Sequence, residues 1–420
     1  MPTYPTYKLG EIITDAIGGD WGKDPGIQDE SYELAYCIRG AEYKNWADDN
    51  GSTAVLRKIK CTNLQKRQLK EGDIIVEISG GGPEQPVGRT EVITKKVMSN
   101  FKGSKVLCTN FLRLIRPNAE LVDSVFLNHY LKFFYSTGEI IKYQAGSNNL
   151  RNLKFNDYLT LPIPLPPLPT QQAIVTRIEF LFAELDKAAE HLRTAKQQLK
   201  TYRQAVLNHW LNNEDGKWEM VPIKEIISVI SNGSTPKADK MFSKGEIQFL
   251  KVYNLNFDGS INLSKEPVFI EKDTHETLLK RSQTKQGDVL INIVGPPLGK
   301  VSIIPEGEKE YNINQAIVMF RPNEFVTSKF LAYYLMSPQV IAWLTSTSKA
   351  TAGQYNVKVS TCREIMFPKI SISDQHRIVK EIESRLSQAE AAEASIAEAL
   401  QKTEALRQSI LKKAFSGELV

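Results

Sequence analysis

Cysteine is scarce in this chain of 420 residues, which contains only Cys37, Cys61, Cys108 and Cys362. These four are far apart and form no CxxC pair. Their spacing fits neither a zinc site nor a disulfide framework, so we expect reduced thiols in the core. Hydrophobic runs are short as well, and none reaches the roughly 18 residues of a membrane-spanning helix. The opening Met-Pro-Thr-Tyr-Pro has neither the basic start nor the apolar core of a signal peptide. The expected location is therefore the cytoplasm.

Sequence motifs for catalysis are missing too. The nearest approach to a phosphate-binding loop, Gly295 to Val301, has three residues between its glycines and no hydroxyl for magnesium. A methyltransferase of adenine or cytosine would need an Asn/Asp-Pro-Pro-aromatic tetrapeptide and a glycine-rich cofactor loop, and neither occurs. The five histidines show no ligand or nucleophile–base spacing. We therefore predict a chain that is not an enzyme and that binds neither a cofactor nor a metal ion.

One catalytic alternative stays open. Asp29, Glu42 and Lys44 are carboxylates and a lysine that could hold magnesium and a phosphate, as in a metal-dependent nuclease. The segment has no clear strand pattern that would bring these side chains together. A nuclease is therefore the least supported of the possible functions.

Charge is nearly balanced over the whole chain, with a net charge of +5, but it is unevenly distributed. Residues 1–56 hold 4 basic and 10 acidic side chains, whereas residues 57–116 hold 13 basic and 5 acidic ones. This second window, with a net charge of +8, could neutralise phosphates, although a solvated basic face has the same composition.

The chain repeats one plan twice. Residues 161–211 align with residues 365–415 at a constant shift of 204 without a gap, and twelve of the 51 pairs are identical. Shorter matches precede these segments in the same order, among them Gly72-Asp73 with Gly287-Asp288, Arg116-Pro117-Asn118 with Arg321-Pro322-Asn323, and Phe126-Leu127 with Phe330-Leu331. Matches in one constant order indicate an internal duplication.

Each copy divides into a globular part and a helical segment. The globular parts contain short β-like runs such as Asp73–Ile78 and Val289–Val294, with helical stretches near Val125–Tyr135 and Lys329–Met336. This mixture predicts an α+β fold with two similar globular domains. The predicted domain bounds are 1–165 and 216–369, each followed by a long helix, at 166–215 and 370–420.

The two helical segments contain no proline or glycine between residues 170 and 212 or between 374 and 415. Each starts with a residue able to cap a helix, Thr170 or Asp374. Apolar residues recur at three- and four-residue spacing over about five heptads, which is typical of a coiled coil. The residues predicted to pair the helices are Val175, Ile178, Phe182, Leu185, Leu192, Val379, Ile382, Leu386, Ile396 and Leu400.

A seam of roughly 54 Å is longer than one small domain can cover. We therefore expect the two helices to form an intramolecular antiparallel coiled coil, with the duplicated halves related by a pseudo-twofold axis. Homodimerisation through each seam is the alternative, because heptads alone do not fix the partner. Lys196, Arg203, Glu393 and Arg407 interrupt the seam and either set its register or reach past it into water.

This arrangement resembles the specificity subunit (HsdS) of type I restriction-modification systems over essentially the whole chain. The most specific stretches lie in the second copy: Gly233-Ser234-Thr235-Pro236, Gly245 to Val252, Gly287 to Ile291, Gly295 to Lys300, Asn314 to Ile317, Gly353 to Val357, then Pro368 and Asp374-Gln375, where the family usually has Glu-Gln. The first copy keeps the Gly-Asp turn and Pro164 to Gln171. It has Ile17-Gly18-Gly19-Asp20-Trp21 in place of Gly-x-Thr-Pro.

The resemblance implies that each globular domain is a target-recognition domain that reads one half of a bipartite, asymmetric target in double-stranded DNA. The paired helices would set the spacer and dock two methyltransferase (HsdM) subunits, which bind S-adenosylmethionine and methylate adenine at N6. Two restriction (HsdR) subunits would add translocation and cleavage, with ATP and Mg. This chain would contribute target choice and assembly.

A domain that reads DNA needs lysine and arginine for phosphates, and arginine, asparagine, glutamine or lysine for base edges. The candidates are Lys58, Lys60, Arg89, Thr90, Lys95, Lys96 and Lys102 in the first copy, and Lys251, Tyr253, Asn254, Lys300, Asn314, Gln315, Gln354 and Tyr355 in the second. A scaffold with two protein-binding modules explains the helices equally well, but it gives no reason for the basic window. Weak binding to DNA that is lost with salt would separate the two.

Overall fold

The structure is a computed structural model that describes residues 4–82, 85–146, 151–307, 309–351 and 354–419, without the side chains of residues 349–351 and 354. It contains two compact units, residues 4–191 with 399–419 and residues 192–398. Each unit holds one globular module and one end of each of two long helices, Leu168–Leu211 and Ile372–Phe415. We call residues 4–165 the first module and residues 213–370 the second module.

The first module contains short strands and helices in an α+β arrangement. Its strands are Thr6–Lys8, Ile13–Gly18, Tyr32–Ile38, Val55–Lys60, Ile74–Glu77, Ser79–Gly81, Thr90–Val92, Val106–Cys108, Leu112–Pro117, Gln144–Ala145, Arg151–Leu153 and Pro162–Pro164. Its α-helices are Trp46–Asp49, Cys61–Arg67, Lys95–Ser99, Ser124–Ser136 and Phe155–Tyr158, and its 3-10 helices are Leu9–Glu11, Gly40–Asn45 and Glu139–Tyr143.

The second module repeats this arrangement with fewer elements. Its strands are Met220–Pro222, Val229–Asn232, Ile247–Leu250, Phe269–Ile270, Val289–Asn292, Val301–Ile303, Tyr311–Ile313, Ile317–Arg321, Lys349–Thr351, Gln354–Asn356 and Met366–Pro368. Its α-helices are Lys272–Glu276, Ser328–Met336, Pro338–Thr347 and Val359–Arg363, and its 3-10 helices are Ile223–Glu225, Ala238–Lys240, Val252–Asn254 and Lys280–Ser282. Within the described ranges, the structure contains no helix long and apolar enough to cross a membrane.

Each module is built on a four-stranded antiparallel sheet and a three-stranded sheet. The four-stranded sheet has the order Ile13–Gly18, Leu112–Pro117, Ile74–Glu77, Thr90–Val92 in the first module, and Val229–Asn232, Ile317–Arg321, Val289–Asn292, Val301–Ile303 in the second. In the three-stranded sheet that both modules share, the central strand, Tyr32–Ile38 or Ile247–Leu250, pairs antiparallel on one side and parallel on the other. The first module has a further three-stranded sheet, antiparallel throughout, in the order Gln144–Ala145, Arg151–Leu153, Ser79–Gly81. The shared order and directions confirm the predicted α+β fold and its two similar domains.

One inner strand of each four-stranded sheet, Ile74–Glu77 or Val289–Asn292, is buried on both faces, which explains its unbroken apolar run. In the first module Ile74 and Val76 pack towards the helix Ser124–Ser136, and Ile75 packs towards Tyr43. In the second module Val289 and Ile291 join one core cluster, and Leu290 joins another. The sheet therefore lies between two cores, and its strand ends are held at fixed positions.

The repeated Gly-Asp and Arg-Pro-Asn turns meet in each module as a buried ion pair. Arg116 donates to Asp73 from Nε at 2.7 Å and from Nη2 at 2.9 Å. Arg321 donates to Asp288 from the same two nitrogens, at 2.8 and 2.7 Å. Both aspartates are 1% exposed, so these motifs repeat because the framework of each module needs them.

Asp288→Asn should lower the free energy of unfolding of the second unit by about 3 kcal/mol, because it leaves the Arg321 cation without its buried partner. Asp73→Asn should act in the same way on the first unit. Hydrogen exchange in rising urea measures each unit separately. The exposed Asp239→Asn is the matched control, and equal protection in Asp288→Asn and this control would contradict the assignment.

A buried glutamine ties each long helix to the module that precedes it. The amide oxygen of Gln171 or Gln375 accepts from the N–H of the N-cap residue of the module's own helix, Asp123 or Thr327, at 2.8 Å. The amide nitrogens donate to the carbonyls of Leu121 and Pro166, and of Phe325 and Ile370. The identity of this pair across the repeat therefore has a structural cause.

The long helices begin three residues earlier than caps at Thr170 and Asp374 would place them, so the prediction that these two residues are caps is wrong. The second helix is capped by Ser371, whose hydroxyl accepts from the N–H of Asp374 at 3.1 Å and donates to its carboxylate at 2.7 Å. The Asp374 carboxylate lies in the first turn, where it interacts favourably with the helix dipole.

Within each unit the two long helices run antiparallel, as predicted. In the second unit Glu393 contacts Lys196 and Arg203, whereas Arg385, two turns earlier, lies beside His209 and Trp210. In the first unit Leu411 and Ala414 share a buried cluster with Ile174 and Ile178, and Arg407 pairs further along the first helix with Asp186. The helix pairing is therefore intramolecular.

The predicted pairing residues lie on the buried side of both helices. Ile178, Val379 and Ile382 are buried, and Val175, Phe182, Leu185, Leu192, Leu386, Ile396 and Leu400 are half-buried. The polar positions of the seam form ion pairs between the helices: Arg203 lies 2.9 Å from Glu393, Lys196 lies 3.7 Å from it, and Arg407 pairs with Asp186. These charges bridge the helices at defined heights.

His129 lies in the first unit where the helix Ser124–Ser136 meets the first long helix. Its ring packs edge-on against Phe182, at 5.8 Å between centroids. Both ring nitrogens are buried, and neither has a hydrogen-bond partner among the residues that the structure describes. Burial, with a smaller effect from Lys132, lowers the pKa of His129 to about 4.

The first unit should therefore lose stability as the pH falls below 6.5, the ordinary pKa of histidine. Because the folded pKa is the lower one, the unfolded chain binds the proton first, and at pH 5 the loss is about 2 kcal/mol. His129→Leu should remove this pH dependence, whereas the exposed His191→Gln should keep it. Urea midpoints of the first unit at pH 7 and pH 5 give the measurement, and equal pH dependence in both variants would contradict the account.

Candidate nucleic-acid interface

A groove of about 670 Å³ opens in the first module where strands of its two sheets end side by side. The residues that follow the strands Ile13–Gly18, Tyr32–Ile38 and Val106–Cys108 meet there, at the end of Ile74–Glu77. The groove is lined by Trp21, Arg39, Gly40, Ala41, Glu77, Ser79, Gly80, Gln85, Arg89, Thr109, Asn110 and Phe111. This mixture of cationic, amide and aromatic side chains suits the edges and faces of nucleic-acid bases.

The chain crossing under the groove requires glycine at one position. A Cβ atom on Gly19 would overlap the carbonyl oxygens of Cys108 and Thr109. Gly233 of the second module has the same relation to the carbonyl oxygens of Ile313 and Asn314. The two modules therefore share this crossing, and the difference in the Gly-x-Thr-Pro region lies in the residues that follow the glycine.

Backbone hydrogen bonds put the groove in register with one surface of the second module. The N–H of Glu77 donates to the carbonyl of Arg89 at 2.9 Å, and that of Asn292 donates to Lys300 at 3.1 Å. Bonds of the same kind also fix the pairs Arg39 with Lys251, Thr109 with Asn314, and Phe111 with Ala316. Asn110 and Gln315 lie between two such positions, and Trp21 and Thr235 directly follow the bonded Asp20 and Ser234. One frame thus presents different side chains in its two copies.

Arg89 is held inside the groove by a buried carboxylate. Its Nε donates to Glu77 at 2.8 Å and its Nη2 donates at 2.6 Å, while its guanidinium lies 5.3 Å from the ring centre of Tyr43. The hydrogen bonds to Glu77 raise the pKa of Arg89, so the cation persists. The equivalent Lys300 places Nζ 3.4 Å from the carbonyl of Val252.

A second cation lies at the groove edge and is joined to a capping side chain. The Glu42 carboxylate accepts from the backbone N–H of Arg39 at 2.5 Å and from its Nε at 2.9 Å. In the second module Asn254 accepts from the backbone N–H of Lys251 at 2.8 Å, which is the same cap without the charge. The cap thus belongs to the frame, whereas the charge differs between the modules.

The floor of both sites carries a buried polar atom without a partner in the described parts of the chain. Thr109 is 3% exposed and its hydroxyl oxygen has no hydrogen bond there. The equivalent Asn314 has an unsatisfied side-chain oxygen. Buried polar atoms are usually paired, so two unsatisfied atoms at equivalent positions point to a polar ligand in each module.

Exposed aromatic rings lie beside the cations. Phe111 is exposed in the first groove, and Trp21 packs against the guanidinium of Arg57 at 4.4 Å. In the second module the Lys300 ammonium lies 5.7 Å from the ring centre of the exposed Phe257. Rings next to cations are typical of surfaces that bind bases and backbone together.

The structure brings Arg89 into the groove but places most other first-copy candidates elsewhere. Thr90 is buried behind Arg89, and Lys58 and Lys60 lie on the strand Val55–Lys60 of the smaller sheet, outside the groove lining. The remaining candidates lie on or beside the helix Lys95–Ser99, in a segment that is six residues longer than its counterpart in the second module: Lys95, Lys96 and Lys102, all exposed.

Four second-copy candidates lie at positions equivalent to the groove lining, namely Lys251, Lys300, Asn314 and Gln315. Asn254 is buried, and its amide bonds the carbonyls of Asn262 and Lys265, which is a structural role. The Tyr253 hydroxyl donates to the carbonyl of Glu266 at 3.0 Å. Tyr355 packs against the main core cluster, and the side chain of Gln354 lies outside the described residues, as does Gly353.

Sequence reasoning missed Trp21, Arg39, Glu77, Asn110 and Phe111. For Arg39, Asn110 and Phe111 the signal was present in the duplication, because each follows a strand whose counterpart precedes a second-copy candidate. The first copy, however, is longer between the Gly-Asp and Arg-Pro-Asn turns, so a constant shift does not bring these positions into register.

Asp29 and Glu42 of the nuclease alternative have other partners, and Lys44 is exposed. Asp29 is exposed and accepts two hydrogen bonds from Ser31, which lower its pKa. Glu42 is engaged with Arg39 as described above. Within the ranges that the structure describes, no three His, Cys, Asp or Glu side chains cluster as metal ligands would. The cysteines are free thiols, with Cys37, Cys108 and Cys362 buried.

Comparison with known proteins gives one consistent family. The model of the "Type I restriction modification DNA specificity domain" matches residues 7–194 and again residues 215–401. The specificity subunit of the type I restriction enzyme EcoBI of Escherichia coli is 29% identical over 320 residues, which cover 70% of this chain and 65% of that subunit. The EcoKI specificity subunit of Escherichia coli K12 is 24% identical over 98% of this chain and 88% of its own length.

The fold is also found among solved structures. A chain solved in work on complex assembly and conformational transition of the type I R-M system superposes with a TM-score of 0.70. It is 19% identical, and the superposition covers 100% of this chain and 99% of that one. At this level of identity, the likeness establishes the fold.

Proposed function

Because the chain belongs to the type I restriction modification DNA specificity family, we propose that it selects the DNA target of a type I restriction-modification complex. Each module reads one half of a bipartite target in double-stranded DNA, through the groove of the first module and the equivalent surface of the second. The observation that carries this proposal is the shared frame with different side chains. Two copies of one frame bind the same kind of ligand, and different side chains on it read different bases.

The target is asymmetric on this proposal. Arg39, Glu77 and Arg89 of the first module are replaced by Lys251, Asn292 and Lys300 in the second. Guanidinium, ammonium and amide groups make different hydrogen bonds to base edges in the major groove. The two halves of the recognised sequence therefore differ.

Partner subunits supply the chemistry in this account. The paired helices set the spacer and dock two methyltransferase (HsdM) subunits, which bind S-adenosylmethionine and methylate adenine. Two restriction (HsdR) subunits add cleavage with ATP and Mg. This chain acts in the cytoplasm as a non-catalytic subunit, and no cofactor is assigned to its own residues. The ion pairs of Arg203, Glu393, Arg407 and Asp186 support a defined helix pairing on which such partners can assemble.

Exchange of one module tests the proposal directly. A host deleted for this gene is complemented either with the natural chain or with a chain whose residues 1–165 come from another family member. We expect single-molecule mapping of N6-methyladenine to show a split motif with the natural chain. With the exchanged chain, the first half should change while the second half and the spacer persist, because the second unit and the helix pairing are untouched.

Two controls make the outcome decisive. The deletion strain should lack the motif, and the variant Lys95→Ala, outside the groove, should keep it unchanged. A motif that survives deletion, or an exchange that alters both halves, would contradict the proposed division of labour between the modules.

A further inference from the structure

Arg89 is an ion-paired residue that the framework of the modules does not need. The pair of Arg116 with Asp73 recurs as Arg321 with Asp288, at the same two nitrogens and almost the same distances. At the position of Glu77 and Arg89, by contrast, the second module has Asn292 and Lys300, a neutral amide and an ammonium, which do not form an ion pair with each other. Both modules nevertheless keep the backbone hydrogen bond between these two positions.

Burial of the Glu77 carboxylate costs free energy, although the framework of the modules does not need its ion pair with Arg89. Its residue is 4% exposed, and a buried carboxylate gives up much of its hydration. The second module has a neutral amide and an ammonium in place of this buried ion pair and keeps the same frame. The ion pair of the first module therefore contributes something other than the fold. In a surface that differs between two DNA-reading modules, that contribution is the position of the guanidinium.

Glu77 occupies one side of the Arg89 guanidinium, so the nitrogens of the opposite edge are the ones that can donate to a ligand. Glu77 binds Nε and Nη2, so the edge formed by Nη1 and the second hydrogen of Nη2 points away from the carboxylate, and the contact there is a long one from Nη2 to the carbonyl of Gly40 at 3.5 Å. Those two nitrogens are the pair with which arginine donates to O6 and N7 of guanine. The ring of Tyr43 lies beside the guanidinium, and its own hydroxyl is fixed on the carbonyl of Ile75 at 2.9 Å. The arginine is therefore held in place before any ligand arrives.

An exposed side chain lies against Arg89 in the protein alone. With its amide oxygen turned towards Arg89, Gln85 lies 2.9 Å from Nη1, 3.1 Å from Nε and 3.2 Å from Nη2, so this oxygen lies over the face of the guanidinium and not on its outer edge. Gln85 is exposed and lies in a segment between Glu77 and Arg89 that is four residues longer than the segment from Asn292 to Lys300. The glutamine itself therefore does not occupy the edge to which a base with two acceptors would bind.

From these observations we propose that Arg89, positioned by Glu77, recognises a guanine in the first half of the DNA target. The assignment rests on the proposed function and goes beyond it, since it names the residue, the base and the residue that positions the reader. Among the residues that the structure describes, no carboxylate pairs with Lys300 at the equivalent position, so the second half need not contain guanine at the corresponding step.

The test uses the complete complex in a deletion host complemented with variants of this chain. Arg89→Lys installs the residue that the second module carries at this position, so the frame tolerates it. We expect it to reduce discrimination at one G·C pair of the first half by roughly 10- to 100-fold. The readout is methylation at the target against methylation at sites that differ from it by one base pair. The other positions and the whole second half should keep their discrimination.

Glu77→Gln separates positioning from reading. It keeps the shape of the side chain but removes its charge, so Arg89 loses its alignment while remaining present. We expect a smaller loss of discrimination at the same G·C pair, and none elsewhere. Lys300→Arg is the matched control in the second module, and it should leave the first half unchanged. Thermal unfolding of the purified variants checks that the first unit remains folded.

Distinct results overturn distinct statements. If the natural chain directs no split methylated motif, the proposed function fails and this assignment fails with it. If the motif is present but its first half contains no G·C pair, or Arg89→Lys keeps full discrimination at every G·C pair there, the assignment alone is overturned. A loss spread evenly over both halves would show that Arg89 supports folding or assembly instead.

Discussion

The buried pair between an aspartate and an arginine, Asp73 with Arg116 and Asp288 with Arg321, is the constraint on which the rest of each module depends. In the first module it joins the start of the strand Ile74–Glu77 to the end of the strand Leu112–Pro117, and the second module has the same connection. The register of the four-stranded sheet is therefore fixed at one edge. The opposite ends of these strands carry the candidate reading surface. A buried salt bridge loses hydration, but removing one partner costs more, so both partners persist in each copy.

The residues of the frame are the same in both copies of the duplication, whereas the residues of the reading surface differ. Residues that maintain the frame are the same in both copies: the aspartate–arginine pair, the glycine under the crossing chain, and the glutamine that binds each long helix to its module. Residues that face the groove differ in charge, length and hydrogen-bonding pattern. The second module thus shows which side chains of the first module the fold does not require.

Much of the fold could be predicted from the sequence because its signals are local and periodic. The long helices follow from the absence of proline and glycine and from the apolar seam, and the helices predicted near Val125–Tyr135 and Lys329–Met336 occur as Ser124–Ser136 and Ser328–Met336. Helix starts were less predictable, since Ser371 competes with Asp374 as the cap and only the backbone conformation decides between them.

The candidate site was harder to predict because its residues are distant in the chain. Trp21, Arg39 and Asn110 meet through the crossing of two sheets, and no spacing rule connects them. The basic window of residues 57–116 contains cations that lie in three different places in the structure. Arg116 is part of the framework, Lys95 and Lys96 lie on an inserted helix, and Arg89 lies in the groove. Composition cannot separate these cases, because the distinction depends on which carboxylates the fold brings near.

An experimental structure of the assembled complex on DNA that contains its target would show directly which surface reads the bases. We expect base edges of the first half to lie within hydrogen-bonding distance of residues in the groove around Arg89 and Thr109. Base edges of the second half should lie near Lys300 and Asn314. A complex in which the first module meets the bases through the lysines of the helix Lys95–Ser99, with the groove facing solvent, would contradict it.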